Sequence, residues 1–164
     1  MGNDSITIRN TFLPSDLELV ALLHGKVFGE EHGFPESFEK EVRRGLQIFN
    51  QNYDPEKDRV WVVEKGSQLV GFILLFHREK NQAQLRYFIL DKSCRGTGIG
   101  KRLMEEWMSF FREKKYDSAY LYTTSGLDAA VSLYEKHGFV KVFEETTMNF
   151  GFPLLEILFR LDKG

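Results

Sequence analysis

Apolar and polar positions change period several times along this chain, and each change marks an element. Ile6 and Ile8 alternate with polar neighbours over residues 5–9, the period of a short strand. Ser15 has the side chain of an N-cap and precedes a helix expected over residues 16–27. Residues 28–36 (FGEEHGFPE) hold two Gly, one Pro and three Glu and read as a loop. Ser37 can cap a second helix, in which Phe38, Val42, Leu46 and Phe49 follow helical spacing. The polar stretch 50–58, with Pro55, ends it.

The middle of the chain is β-rich. Residues 59–64 and 68–76 are apolar runs separated by Lys65-Gly66-Ser67, a hairpin signal. A polar link at 78–82 leads to a further run at 84–90, and such short links favour antiparallel pairing. The period then turns helical: Ile99, Leu103, Trp107 and Phe110 predict a helix over 98–114. A strand at 118–123 and a helix at 127–137, ended by Gly138, follow. This strand–helix–strand order predicts a parallel crossover. Residues 139–143 and 154–161 read as closing strands around a turn at 149–153. The sum is an α/β (α+β) fold in a single domain over 1–164, with one mixed, mostly antiparallel sheet of about seven strands and helices on both faces.

Composition narrows the function classes. No apolar run approaches the roughly 18 residues that span a membrane. The polar start MGNDSITIRN lacks the apolar core of a signal peptide, so neither a membrane nor a secretory route is expected. Gly2 invites a myristoylation reading, but Thr7 falls one place late and position 6 is Ile. A net charge of −2 argues against a nucleic-acid partner. Cys94 is the lone cysteine, which excludes an intrachain disulfide and a cysteine zinc site and points to a reducing cytoplasm. His24, His32, His77 and His137 stand far apart, so no metal is expected.

The informative stretch is Cys94-Arg95-Gly96-Thr97-Gly98-Ile99-Gly100-Lys101-Arg102, between a strand and a helix. Glycines at alternate positions let a ligand approach the backbone, and a helix start offers unpaired N–H groups with partial positive charge. Arg95, Lys101 and Arg102 add cations where a purely structural helix start favours acids. The bland alternative, a flexible glycine turn with surface basic residues, leaves those three charges without a purpose; a diphosphate gives them one. A P-loop fails because Arg102 stands for Ser or Thr and Arg95 for the first Gly. A dinucleotide fingerprint fails because Lys101 or Leu103 stands for its third Gly.

Arg95-Gly96-Thr97-Gly98-Ile99-Gly100 resembles the R/Q-x-x-G-x-G/A motif of the GNAT superfamily of N-acetyltransferases. The stretch 121–139 (LYTTSGLDAAVSLYEKHGF) resembles that family's second signature, through Ala130, Leu133, Tyr134, Gly138 and Phe139. The resemblance is best over 59–143. It implies a GNAT fold whose fourth and fifth strands, here at 84–90 and 118–123, splay into a V that receives acetyl-CoA. It implies that backbone around Phe88 and Leu90 pairs with the pantetheine arm. It implies that Gly96, Thr97, Gly98, Ile99, Gly100 and Lys101, with Arg95, hold the pyrophosphate. It also implies that Tyr134 places its hydroxyl near the thioester sulfur. The expected reaction is acetyl transfer to a primary amine of a small molecule or peptide by direct attack. Tyr, with a pKa of about 10 against about 8.5 for a thiol, suits donating a hydrogen bond to the leaving thiolate better than full proton transfer, which is uphill by roughly 2 kcal/mol.

Two positions depart from the family's pattern. Leu127 stands where many relatives have Asn, and the strand at 84–90 lacks a carboxylate where many carry a catalytic Glu. The base therefore stays open. Glu30 and Glu31, in the expected loop, are candidates for the acceptor site, as are Glu144, Glu145 and His32, each with a solvated surface group as the competing reading; Glu156, in the last strand run, could point inward and is a further candidate base. Cys94 has no partner base in the sequence and reads as a bystander. A non-catalytic acyl-CoA sensor is the alternative function. Exposed closing strands often pair between subunits, so a homodimer is a candidate assembly.

Overall fold

A computed structural model describes residues 5–162, so Gly2 lies outside the described residues. In chain order the elements are β1 (Ile6–Arg9), α1 (Asp16–His32), α2 (Glu36–Gln51), β2 (Arg59–Lys65), β3 (Gln68–Arg78), β4 (Gln82–Leu90), α3 (Ile99–Glu113), β5 (Ser118–Thr123), α4 (Asp128–Lys136), β6 (Val140–Thr147) and β7 (Leu154–Asp162). The strands form one seven-stranded sheet in the order β1-β2-β3-β4-β5-β7-β6. Every pairing is antiparallel except β4 with β5, which the α3 crossover makes parallel.

Strand alternation divides the core. Val60 and Val62 face α1 and α2 with Phe72, Leu74 and Phe76, while Trp61, Val63, Ile73 and Leu75 face α3 with Leu103, Trp107 and Phe111. Near-continuous apolar runs in β2 and β3 thus reflect helices on both faces. Trp107 fixes α3 on the sheet by donating its indole N–H to the Leu74 carbonyl at 3.1 Å.

Several boundaries differ from the sequence expectation. Helix α1 continues to His32 rather than stopping at Val27, so Glu30 and Glu31 occupy a helical turn and not a loop. Glutamate is a good helix former, and Phe28 extends the buried face by packing on Phe38 at 4.7 Å. The stop comes at Gly33, which is left-handed (φ 67°) and donates its N–H to the Gly29 carbonyl. Ser15 holds the N-cap position of α1 but makes no side-chain cap bond. Asp16 serves the same turn, accepting from the Leu13 N–H at 2.7 Å and from both Arg9 nitrogens at 2.6 and 2.8 Å. Helix α2 starts at Glu36 after Pro35, so Ser37 lies inside it, its hydroxyl buried without a partner. Strand β6 starts at Val140 and runs to Thr147, which places Glu144 and Glu145 within it; Phe139 is a core residue against Trp107.

One pairing defines the functional geometry. Strands β4 and β5 pair only through Gln82–Ser118, Ala83–Ala119 and Gln84–Tyr120. Beyond Gln84 they part, and β5 turns its remaining length to β7. The register of β4 on β3 also shifts near Tyr87, whose φ of 60° is left-handed, the mark of a bulge within β4.

Candidate functional site

The fork between β4 and β5 opens into two cavities. One, of about 280 Å³, runs between β4, the start of α4 and the end of α1, and is lined by Phe88, Leu90, Arg95, Glu31, Ala130 and Tyr134 among others. The second, of about 160 Å³, runs between α1, α2, β4 and the β6–β7 turn, and is lined by His24, Phe38, Arg86, Tyr122, Phe150 and Glu156 among others. Phe28, Phe88, Leu127 and Tyr134 line both, so the cavities meet at these four side chains.

The glycine loop begins at the larger cavity with Arg95, while residues 96–101 line neither cavity. Asp91 accepts from the Ser93 N–H at 3.0 Å, Thr97 donates its hydroxyl to the Cys94 carbonyl at 2.5 Å, and a single 3₁₀ turn (Lys92–Cys94) results. Gly96 and Gly98 have φ of 76° and 83°, and a Cβ at either would meet nothing within 4 Å: glycine is required by backbone conformation, and the space beside it is open. Gly100 sits in a tight space, since its Cβ would lie 3.3 Å from Leu90 and 3.4 Å from Leu133. Ile99 is buried as the first residue of α3. No acid stands in the first turn of α3, where Lys101 is exposed.

Two of the three cations expected to need a bound anion already have carboxylates. Arg102 donates to Glu106 at 2.9 Å. Arg95 makes a bidentate pair with Glu31 at 2.8 and 2.9 Å and also donates to the Leu90 carbonyl at 3.1 and 2.9 Å. This pair ties the end of α1 to the loop and holds the Glu31 carboxyl below its ordinary range. Glu31 thus lines the larger cavity, whereas Glu30 is exposed and lines neither. Lys101 has no acidic partner among the described residues.

Tyr134 is buried with its ring 6.2 Å from Phe88, and burial alone pushes its phenol far above the ordinary range, so it stays protonated and available as a donor. His24 is buried in the wall of the smaller cavity; desolvation brings its pKa down to about 4, and its Nδ1 lies 2.9 Å from the Val20 carbonyl. It is a neutral imidazole across the ordinary pH range. His32 lines the larger cavity. Glu156 is the one lining carboxylate of the smaller cavity and accepts from Thr147 and, at 2.7 Å, from Asn149. Glu144 and Glu145 are exposed and line neither cavity. Cys94 is fully buried, its thiol raised by burial, which suits a packing role.

The sequence reading thus reached Phe88, Leu90, Arg95 and Tyr134 on the larger cavity and missed most of the smaller one. His24, Phe38 and Phe150 carry no local signal there. Arg86 carries one: a charge inside the apolar run QLRYFIL. Among the described residues no group of His, Cys, Asp and Glu could hold a metal ion, and no helix is long and apolar enough to cross a membrane.

Comparison with known proteins converges on one family. The sequence model of the Acetyltransferase (GNAT) family matches residues 22–139, more than half of the chain. A probable N-acetyltransferase of Xenopus laevis, camello, is 28% identical over 137 residues, covering 80% of this chain and 62% of its own length. The chain spans less than two thirds of the length of this relative and of two further curated ones it matches. Among solved structures, a GNAT-family acetyltransferase of Staphylococcus aureus Mu50 superposes with a TM-score of 0.78 at 20% identity, over 96% of this chain and 99% of that one. A Bacillus anthracis str. Ames acetyltransferase solved in complex with acetyl coenzyme A superposes with a TM-score of 0.58 at 25% identity, over 71% of this chain and 68% of that one.

Proposed function

The chain belongs to the GNAT acetyltransferase family, and from that premise we propose that it transfers the acetyl group of acetyl-CoA to a primary amine by direct attack. The observation that carries the reading is the β4/β5 fork, with a cavity on each side and Tyr134 in the wall of both. A sensor that only bound acyl-CoA would need the larger cavity alone.

The residues of the larger cavity fit acetyl-CoA. From Leu85 to Leu90, β4 has no strand partner on its β5 side, so its backbone can pair with an extended pantetheine arm as an added strand would. The Leu90 carbonyl already accepts from Arg95, so this contact falls to Phe88 and its neighbours. The N–H groups of residues 96–101 and the Lys101 ammonium suit the pyrophosphate. Arg95 reaches it by exchanging Glu31 for a phosphate oxygen. Acetyl-CoA supplies the activated acyl group.

In the smaller cavity the amine must be neutral when it attacks, so a bound ammonium first gives one proton through Glu156 or water to solvent. Its nitrogen lone pair attacks the thioester carbonyl, a C–N bond forms, and the C–S bond breaks as the thiolate leaves. The proton shed by nitrogen passes through Glu156 or water to solvent, and the thiolate is protonated in turn. Tyr134 donates a hydrogen bond to sulfur as charge develops there. The experiment is thiol release from acetyl-CoA against a panel of amines, for wild type and Tyr134→Phe: amine-dependent release that falls in the variant supports the reading, and no amine-dependent release refutes it. We assign no nucleic-acid partner. A homodimer would form through the edge strand β6, where Val140, Val142 and Phe143 are exposed, and sedimentation at micromolar concentration tests it.

A further inference from the structure

The smaller cavity carries information about its occupant. Rings from four separate segments form its walls: Phe28 in α1, Phe34 and Phe38 at the α1–α2 junction, Tyr87 in β4 and Phe150 in the β6–β7 turn. They brace one another, with Phe34–Phe38 at 5.1 Å and Phe38–Phe150 at 5.2 Å. Its volume of about 160 Å³ lies below the roughly 300–1,000 Å³ of drug-sized sites, so it takes one small apolar body and not a folded surface.

Two opposite charges face the same space without pairing to each other. Arg86 is half-buried, with its guanidinium 4.5 Å from the centroid of the Tyr87 ring. Among the described residues it has no carboxylate and no hydrogen-bond acceptor. Arg9 and Arg43, also partly buried, each have two carboxylates. A half-buried guanidinium with no counter-anion among its described neighbours can take one from a ligand, and its planar fork matches a carboxylate bidentately. On another wall Glu156 is held through Oε2 by Thr147 and Asn149, and among the described residues no donor reaches Oε1. One unpaired cation, one fixed anion and a ring of aromatic side chains form the complement of a zwitterion with an apolar side group.

Resting on the acetyl-transfer reading above, we infer that the acceptor is an amino-carboxylate: a primary amine bearing a carboxylate on an aromatic or similarly apolar body, its carboxylate held by Arg86 and its amino group by Glu156. The same arrangement selects against polyamines and lysine-rich peptides, which bring several cations to a cavity with one acid and one opposing guanidinium. It selects against simple arylalkylamines, which leave Arg86 unpaired.

The test follows thiol release from acetyl-CoA with L-phenylalanine, L-leucine, 2-phenylethylamine and spermidine as acceptors. Wild type, Arg86→Met and Arg86→Lys are compared, with acetyl-CoA binding measured by calorimetry in parallel. Methionine keeps the apolar stem over Tyr87, and lysine restores the charge. The expected result is a kcat/KM at least tenfold higher for L-phenylalanine than for 2-phenylethylamine or spermidine in wild type. That ratio falls at least tenfold in Arg86→Met and recovers in part in Arg86→Lys. A wild-type preference for 2-phenylethylamine or spermidine overturns the inference. So does an unchanged ratio in Arg86→Met, or acetyl-CoA binding with no turnover of either amino acid. If Arg86→Met fails to bind acetyl-CoA, the wild-type ratio decides. Failure of wild type to bind acetyl-CoA sinks the underlying reading as well, which keeps the two failures distinct.

Discussion

On the proposed acetyl-CoA side of the β4/β5 fork, most of the chemistry assigned to the ligand belongs to the backbone: the β4 edge around Phe88 that β5 leaves unpaired, two left-handed glycines and the first turn of α3. On the smaller side it belongs to side chains brought from distant segments: His24, Phe38, Arg86, Phe150 and Glu156. Backbone groups offer the same donors and acceptors whatever the neighbouring residues, so the first side suits a ligand that is always the same. Side chains carry shape and charge, so the second side, as the proposed acceptor site, suits telling one acceptor from another. Arg95 is the exception on the first side, a side chain that ties the end of α1 to the loop.

Substitutions can break this division, beginning with the largest effect. Gly98→Asp forces a left-handed residue with a side chain, costing about 1–2 kcal/mol, and places an anion in the anion site. Acetyl-CoA affinity should fall by roughly a hundredfold or more in calorimetry. Tyr134→Phe removes only the hydroxyl at the junction; kcat should fall by about 10²-fold while the acetyl-CoA dissociation constant stays within about twofold. Equal losses in both would make Tyr134 a packing residue. Arg95→Ala loses a charge-assisted bond worth about 1.5–3 kcal/mol, so acetyl-CoA binding should weaken by roughly tenfold or more. Glu31→Gln, which removes the competing carboxylate, should tighten it by a few-fold at most. A looser complex in Glu31→Gln would mean that the ion pair preorganises the loop.

A last effect is of a different kind, on stability, and belongs to the side-chain half. His24 is neutral in the fold with a pKa of about 4, against about 6.5 when unfolded. Between those values the unfolded chain binds the extra proton, so stability falls as pH falls, by up to about 1.4 kcal/mol per unit. His24→Leu, packed among the same rings, should flatten that slope. Urea midpoints at pH 7 and pH 4.5 check it, and an unchanged slope would show that other groups carry the acid sensitivity.

The same division explains what the sequence could disclose. The loop from Arg95 to Gly100 and the helix carrying Tyr134 are each written in one contiguous stretch, with conformational demands that only glycine meets, so they stand out in the chain. Strand alternation and helical periodicity likewise disclosed the seven strands and the parallel crossover. The end of α1 was misread because Gly29 and two glutamates look like a loop until Phe28 is seen packed on Phe34 and Phe38. The Glu31–Arg95 pair joins positions 64 residues apart, and the smaller cavity joins His24 to Glu156; neither has a local pattern to read. Arg86 could have been flagged as a charge within an apolar strand, but only the structure places it beside an aromatic cavity without a carboxylate of its own.

The central claim is that the larger cavity and its glycine loop form an acetyl-CoA site. Calorimetric titration of acetyl-CoA into wild type and Gly98→Asp tests it most directly. The account predicts one site of micromolar-range affinity in wild type, with binding abolished or nearly so in the variant. Absence of binding to wild type, or equal binding to both proteins, would contradict it.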